Sequence, residues 1–174
     1  MALFTSFGSG STSVSPERFG AGCVACRLWQ AQPMYCTLCR LIREDAARWV
    51  AREAVACAFS PLDPLAPGHT LVVPTQHYAD VFDTPHDVLA ATMALVQRVA
   101  GAMRAALDAT GVNILSASGP GSEQSVPHLH FHVVPRWMGD GISTWPAGRS
   151  EHVLTEDPDA TLAAFLARER PHRG

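Results

Sequence analysis

No apolar run in the chain approaches the roughly 18 residues that a membrane-spanning helix requires, so no membrane association is expected. The N-terminus lacks a basic segment followed by an apolar one, which argues against a secretory signal. Charge is sparse and of the wrong sign for a general nucleic-acid binder, which is normally basic. Charged residues make up 17% of the chain, the formal net charge is -3 and the pI is near 6.2. Internal repeats are absent. Cysteine is scarce and its spacing does not suit disulfides: four of the five cysteines form two CxxC pairs. That pattern points to metal in a reducing compartment, and the expected location is the cytoplasm.

What is present suits one globular domain. At 174 residues and 47% hydrophobic, the chain has enough length for a core. Residues 1–22 are rich in Ser and Gly without sustained periodicity and are read as a flexible leader. The domain is expected to run from 23 to 174.

Along the chain, Ala47 to Ser60 predicts a hairpin turning around Arg52-Glu53-Ala54. Pro61, Pro64, Pro67 and Gly68 force an irregular loop, and Thr70 to Val73 is a short buried strand closed by Pro74. Thr84-Pro85-His86-Asp87 opens a long helix, with Thr84 as the capping hydroxyl. Leu89, Met93, Val96, Ala100, Met103 and Leu107 form its apolar stripe, and Gly111 ends it. Val112 to Leu115 is a strand, and Asp157-Pro158 opens a last helix through about Glu169. Short strands around one long helix predict an α+β domain.

The stretch with most chemistry is Val126 to Arg136, where His128, His130 and His132 alternate with apolar residues. A period of two predicts a half-buried strand with the histidines on one face. Neighbouring histidines would then stand about 6.5–7 Å apart, too far for all three to ligate one metal from a flat strand. They invite separate jobs.

His128-Leu129-His130-Phe131-His132-Val133-Val134 resembles the defining motif of the histidine triad (HIT) family of nucleotidyl hydrolases and transferases. Gln124-Ser125-Val126 before it, Pro135-Arg136 after it, and Ala66-Pro67-Gly68-His69-Thr70-Leu71-Val72-Val73-Pro74 upstream carry the same resemblance. It implies an antiparallel sheet with one long central helix and a C-terminal helix. It also implies attack on an α-phosphorus by His130, giving a nucleotidyl-histidine that water cleaves. By the same resemblance His132 contacts the phosphate, and His69 lies behind the site and orients the triad. Ser125, Gln124 and Ser118 are candidate substrate contacts. The substrate class implied is a nucleotide conjugate, either a phosphoramidate or a dinucleoside polyphosphate. A transferase or phosphorylase, or a nucleotide-binding module of low turnover, shares the motif. Family members commonly dimerise, so a homodimer is expected.

The bacterial zinc-containing branch of the family places structural zinc on Cys36, Cys39, His77 and His128. Two thiolates and two imidazoles suit a closed tetrahedral site. The competing set is Cys23, Cys26, Cys36 and Cys39.

Three departures from the family pattern matter. Pro61 stands where an aspartate usually bonds ribose, with Asp63 as the nearby substitute. Ser116-Ala117-Ser118 replaces asparagines, and Glu123 replaces a glycine. Trp145-Pro146-Ala147-Gly148 is similar to a segment that reaches the partner subunit in some branches.

Overall fold

Short apolar runs build the sheet, with burial alternating in Trp49–Arg52 and continuous in Ala56–Phe59 and Thr70–Pro74. A computed structural model describes residues 35–146 and 148–168; the expected leader, Cys23 and Cys26 lie outside the described residues. The chain divides at Asp140/Gly141 into two units.

The first unit contains α1 (Thr37–Arg43), β1 (Trp49–Arg52), β2 (Ala56–Phe59), β3 (Thr70–Pro74), α2 (His86–Ala106), β4 (Gly111–Leu115) and β5 (Phe131–Arg136). The strands form one antiparallel sheet in the order β1-β2-β3-β5-β4. The expected hairpin is present, with Cys57 opposite Arg52. β2 and β3 are buried along their whole length because both faces of the sheet are covered there. Ala56, Ala58, Val72 and Val133 face Leu95, Val96, Val99 and Met103 of α2. Cys57, Phe59, Leu71 and Val73 face the opposite way, onto Leu38, Leu41 and Ile42 of α1. Successive residues of one strand thus feed two cores.

α1 is an element the sequence did not announce; it follows from Cys36, whose Sγ accepts from the Cys39 amide at 3.5 Å and caps the helix. Four sequence expectations are corrected. Thr84 does not cap α2. Its hydroxyl donates to the Asp80 carbonyl at 2.6 Å, and Pro85 fills the cap position with no side-chain bond. The buried face of α2 is Thr92, Leu95, Val96, Val99 and Met103, rotated from the expected stripe, so that Met93 and Leu107 are exposed. Thr92 hides in that face by donating to the Val88 carbonyl at 2.8 Å. α2 ends before Gly111: Asp108 takes the left-handed conformation, φ 52°, and the Ala109 amide reaches back to the Met103 carbonyl at 3.3 Å.

The fourth correction concerns the histidine stretch. The strand begins at Phe131 rather than Val126. Pro127 has no amide hydrogen to give a ladder, the His128 amide bonds the Val126 carbonyl, and the Leu129 amide bonds the Tyr78 carbonyl at 2.6 Å. Freed from the pleat, His128, Leu129 and His130 are all buried.

The second unit carries α3 (Pro158–Arg168). Asp157 caps it as expected, its carboxylate accepting from the Asp159 amide at 3.0 Å. Leu162, Phe165 and Leu166 of this helix are exposed, and Trp145 in the preceding stretch is 82% exposed.

Candidate active site and metal centre

One loop segment and one helix end bring a second constellation to His128. Cys36 and Cys39 come from the first turn of α1, and His77 from the segment leaving β3. Cys39 Sγ lies 3.3 Å from His77 Nδ1 and 3.4 Å from His128 Nδ1, and Cys36 Sγ lies 3.5 Å from His128 Nδ1. All four ligand atoms fall within 4.8 Å of one another. Zinc–sulfur and zinc–nitrogen bonds of ordinary length give tetrahedral edges of about 3.4–3.8 Å, so the set fits a four-coordinate ion with no open position.

Hydrogen bonding orients His128 for this. Its Nε2 stands 3.0 Å from the Pro74 carbonyl; a carbonyl only accepts, so Nε2 carries the proton. The Nδ1 lone pair therefore faces the sulfurs, and the carbonyl behind the ring is the supporting partner that metal-binding histidines usually have. Burial pushes His128 down to about 4 and lowers His77, which keeps both imidazoles neutral and ligand-competent at pH 7. Burial, reinforced by Cys36, raises the Cys39 thiol to about 12. Two sulfurs crowded this way gain from a cation that takes both as thiolates.

His130 is held in the opposite tautomer. Its Nδ1 lies 2.7 Å from the His128 carbonyl, so Nδ1 carries the proton and Nε2 presents a lone pair. The His130 carbonyl accepts from Ser116 Oγ at 2.9 Å. Ser116 stands in the run that replaces the family's asparagines, and its bond to the main chain of the triad segment is a role the sequence did not show.

His132 belongs to a second chain of bonds. The Leu65 amide donates to His69 Nδ1 at 3.0 Å, leaving the proton on His69 Nε2. That nitrogen lies 3.0 Å from His132 Nδ1, so neutral His132 carries its own proton on Nε2. Burial, with His130 and His69 adding to it, lowers His132 to about 4; burial lowers His69 as well. Both are neutral donors at pH 7. The His130 and His132 rings are 5.2 Å apart between centroids, so a lone pair and an N–H donor stand side by side.

The other expected contacts are placed less uniformly. Gln124 is buried and binds main chain: its amide donates to the carbonyls of Ala79 at 2.6 Å and Val126 at 3.0 Å, and its oxygen accepts from the Gly119 amide. It ties together the two loops flanking the triad. Ser118 Oγ accepts from the Val81 amide at 3.3 Å, a further tie between the same loops. Ser125 and Asp63 are exposed. Glu123 sits at φ 63°, which explains why glycine suits this position.

The fold and these two centres define an α+β domain with paired imidazoles at a sheet end and a Cys2His2 cluster beside them. Comparison with known proteins gives the same class a name. The HIT domain family matches residues 30–138, and the chain belongs to that family. An uncharacterized HIT-like protein of Mycobacterium tuberculosis is 34% identical over 137 residues, 78% of this chain and 92% of the relative. The adenosine 5'-monophosphoramidase of Saccharomyces cerevisiae is 32% identical over 119 residues, 67% of this chain and 73% of the relative. A zinc-bound histidine triad family protein from Mycobacterium smegmatis superposes with a TM-score of 0.61 at 34% identity, covering 79% of this chain and 100% of the other.

Proposed function

We propose that the chain is a nucleotidyl hydrolase that cleaves a bond at the α-phosphorus of a nucleotide conjugate, with His130 as nucleophile. The observation that carries this reading is the fixed tautomer of His130, whose Nδ1 is spent on the His128 carbonyl at 2.7 Å and whose Nε2 is free to attack. The yeast relative's phosphoramidase activity supports the substrate class.

In the first step Nε2 of His130 attacks phosphorus in line and the leaving group departs. As Nε2 gains a bond, positive charge on the ring is stabilised at Nδ1–H by the His128 carbonyl. His132 Nε2–H donates to a phosphoryl oxygen or to the departing atom, and His69 holds His132 in the tautomer that can do so. Water then displaces His130 from phosphorus and releases the nucleoside monophosphate. Ser125 and Ser118 add phosphate contacts, Gln124 fixes the loops that carry them, and Asp63 binds the ribose hydroxyls in place of the aspartate lost at Pro61. Cys36, Cys39, His77 and His128 hold structural zinc; when bound it supplies rigidity between α1 and the triad segment. The active form is a homodimer; β4 is a terminal strand of the sheet among the described residues. Sedimentation at twice the mass of the 18.6 kDa chain tests the dimer, and a monomeric boundary contradicts it.

Hydrolysis of adenosine 5'-phosphoramidate tests the central assignment. The wild type turns it over, and His130→Ala loses activity by at least about 10³-fold. Equal turnover by both proteins removes His130 from the chemistry. Adding inorganic phosphate leaves AMP as the product; appearance of ADP would mark a phosphorylase instead.

A further inference from the structure

The second unit has a helix but no core of its own to hold it. Every residue from 148 to 168 is exposed, and α3 buries none of its eleven residues. Helices shorter than about 12–15 residues are marginal alone in water, so a stable α3 needs a covering surface. The face it offers is well defined. Leu162, Phe165 and Leu166 recur at three and four residues and fall on one stripe, each more than half exposed. Beside the stripe, at the start of the helix, a cavity of about 350 Å³ is lined by Leu154, Thr155, Glu156, Pro158, Thr161 and Leu162. The Thr161 hydroxyl is engaged with the Asp157 carbonyl at 2.9 Å, so the cavity wall is mainly apolar.

Charge runs along the helix in one direction. Glu156, Asp157 and Asp159 stand at its start and Arg168 in its last turn. Two copies laid antiparallel set each acidic start beside the other's basic end and oppose their helix dipoles; a parallel pair sets like beside like. Antiparallel pairing about the helix middle also brings Leu166 of the partner subunit over Leu162 and the cavity, and two-fold symmetry repeats the contact so that both cavities fill. From this we infer that the apolar face of α3 docks on α3 of a second copy of this chain, antiparallel across a two-fold axis. The inference deepens the homodimer reading and does not depend on His130 as nucleophile. Carboxylates outnumber guanidiniums across 148–168, which suits this occupant and opposes an anionic membrane surface. About 16 Å of helix falls short of the roughly 1,200 Å² that a stable dimer buries, so the pairing adds to contact made elsewhere between the same two copies.

Isotope-filtered NMR on a mixture of carbon-13-labelled and unlabelled full-length chains is the test. Cross-peaks are expected between the Leu162 methyls of labelled copies and the Phe165 and Leu166 side chains of unlabelled ones. Sedimentation equilibrium gives the second reading. Phe165→Glu, at an exposed position that folding of the first unit does not use, raises the dimer Kd at least about tenfold, as loss of an aromatic interface anchor does. Asp159→Arg and Arg168→Asp each weaken the dimer, and mixing the two variants restores wild-type affinity, because only the mixed pair has opposite charges at both ends. Leu162 cross-peaks confined to the same chain, or a Phe165→Glu dimer as tight as wild type, overturn the inference even where the chain dimerises through other surfaces. A mixed pair no tighter than either charge variant, with helical circular dichroism retained, overturns the antiparallel arrangement. Phe165-dependent binding to neutral phosphatidylcholine vesicles in place of interchain cross-peaks assigns the face to a membrane and overturns it as well. A chain that stays monomeric removes both this inference and the homodimer, and leaves turnover through His130 as a separate result.

Discussion

His128 and His130 lie two residues apart, both buried, and hold their protons on opposite nitrogens. His128 gives Nε2–H to Pro74 and offers Nδ1 to two sulfurs; His130 gives Nδ1–H to His128 and offers Nε2 outward. The side chains are chemically identical. Their different offices come from which main-chain carbonyl each one meets, because a neutral imidazole has one proton and a carbonyl claims it. A row of histidines becomes a graded site through backbone geometry.

Loss of the His128 ring is expected to cost the most. His128→Ala removes a fully buried ring with both nitrogens engaged and one of the four cluster ligands, so the folded state loses roughly 3–5 kcal/mol. His130→Ala loses activity but keeps its metal and most of its stability. Urea midpoints and metal content of the two variants measure the contrast; equal destabilisation would erase it. Cys36→Ser should likewise lose metal, whereas Cys23→Ser should retain it. Full metal in the Cys36 variant would revive the all-cysteine alternative.

A smaller effect is expected one bond further out. His69→Gln leaves His132 Nδ1 without its fixed partner and is expected to lower kcat about 10–100-fold, the scale seen when a supporting hydrogen bond is lost. Metal content is unchanged in this variant. Unaltered kcat would show that His132 finds its tautomer without His69.

Acid reaches the same pair gradually. His132 sits near 4 in the folded chain against about 6.5 when unfolded. Between those values the unfolded chain binds the extra proton, so stability is full above about pH 6.5 and falls as pH drops toward 4. Urea midpoints of the zinc-loaded protein at pH 7 and pH 5 measure the fall, and a flat profile contradicts neutral burial of His132. Ser116→Ala is the mildest change, costing on the order of 1 kcal/mol for one hydrogen bond and less than tenfold in kcat.

Much of this was legible in the sequence where the signal is local. The hairpin at 49–59, the strand at Thr70, the long helix and the Asp157 cap all depend on nearby residues and are present. Cys36, Cys39, His77 and His128 were grouped through family resemblance and converge in space. Structure departs from the local pattern where distant main chain intervenes. The strand start moved to Phe131 because Tyr78, fifty-one positions upstream of Leu129 in the chain, takes the Leu129 amide. The α2 stripe rotated because Thr92, polar on paper, satisfies its own hydroxyl and buries. The carbonyls of Pro74 and His128 and the amide of Leu65, which decide the tautomers, belong to the backbone that every residue shares, and no sequence pattern marks them.

The most direct test of the central claim is the stereochemistry at phosphorus. A P-chiral thio analogue of the nucleoside phosphoramidate, hydrolysed in oxygen-18 water, reports how many displacements occur. Attack by His130 followed by water inverts phosphorus twice, so net retention is expected in the nucleoside thiophosphate. Net inversion would mean that water attacks directly and that His130 never bonds phosphorus.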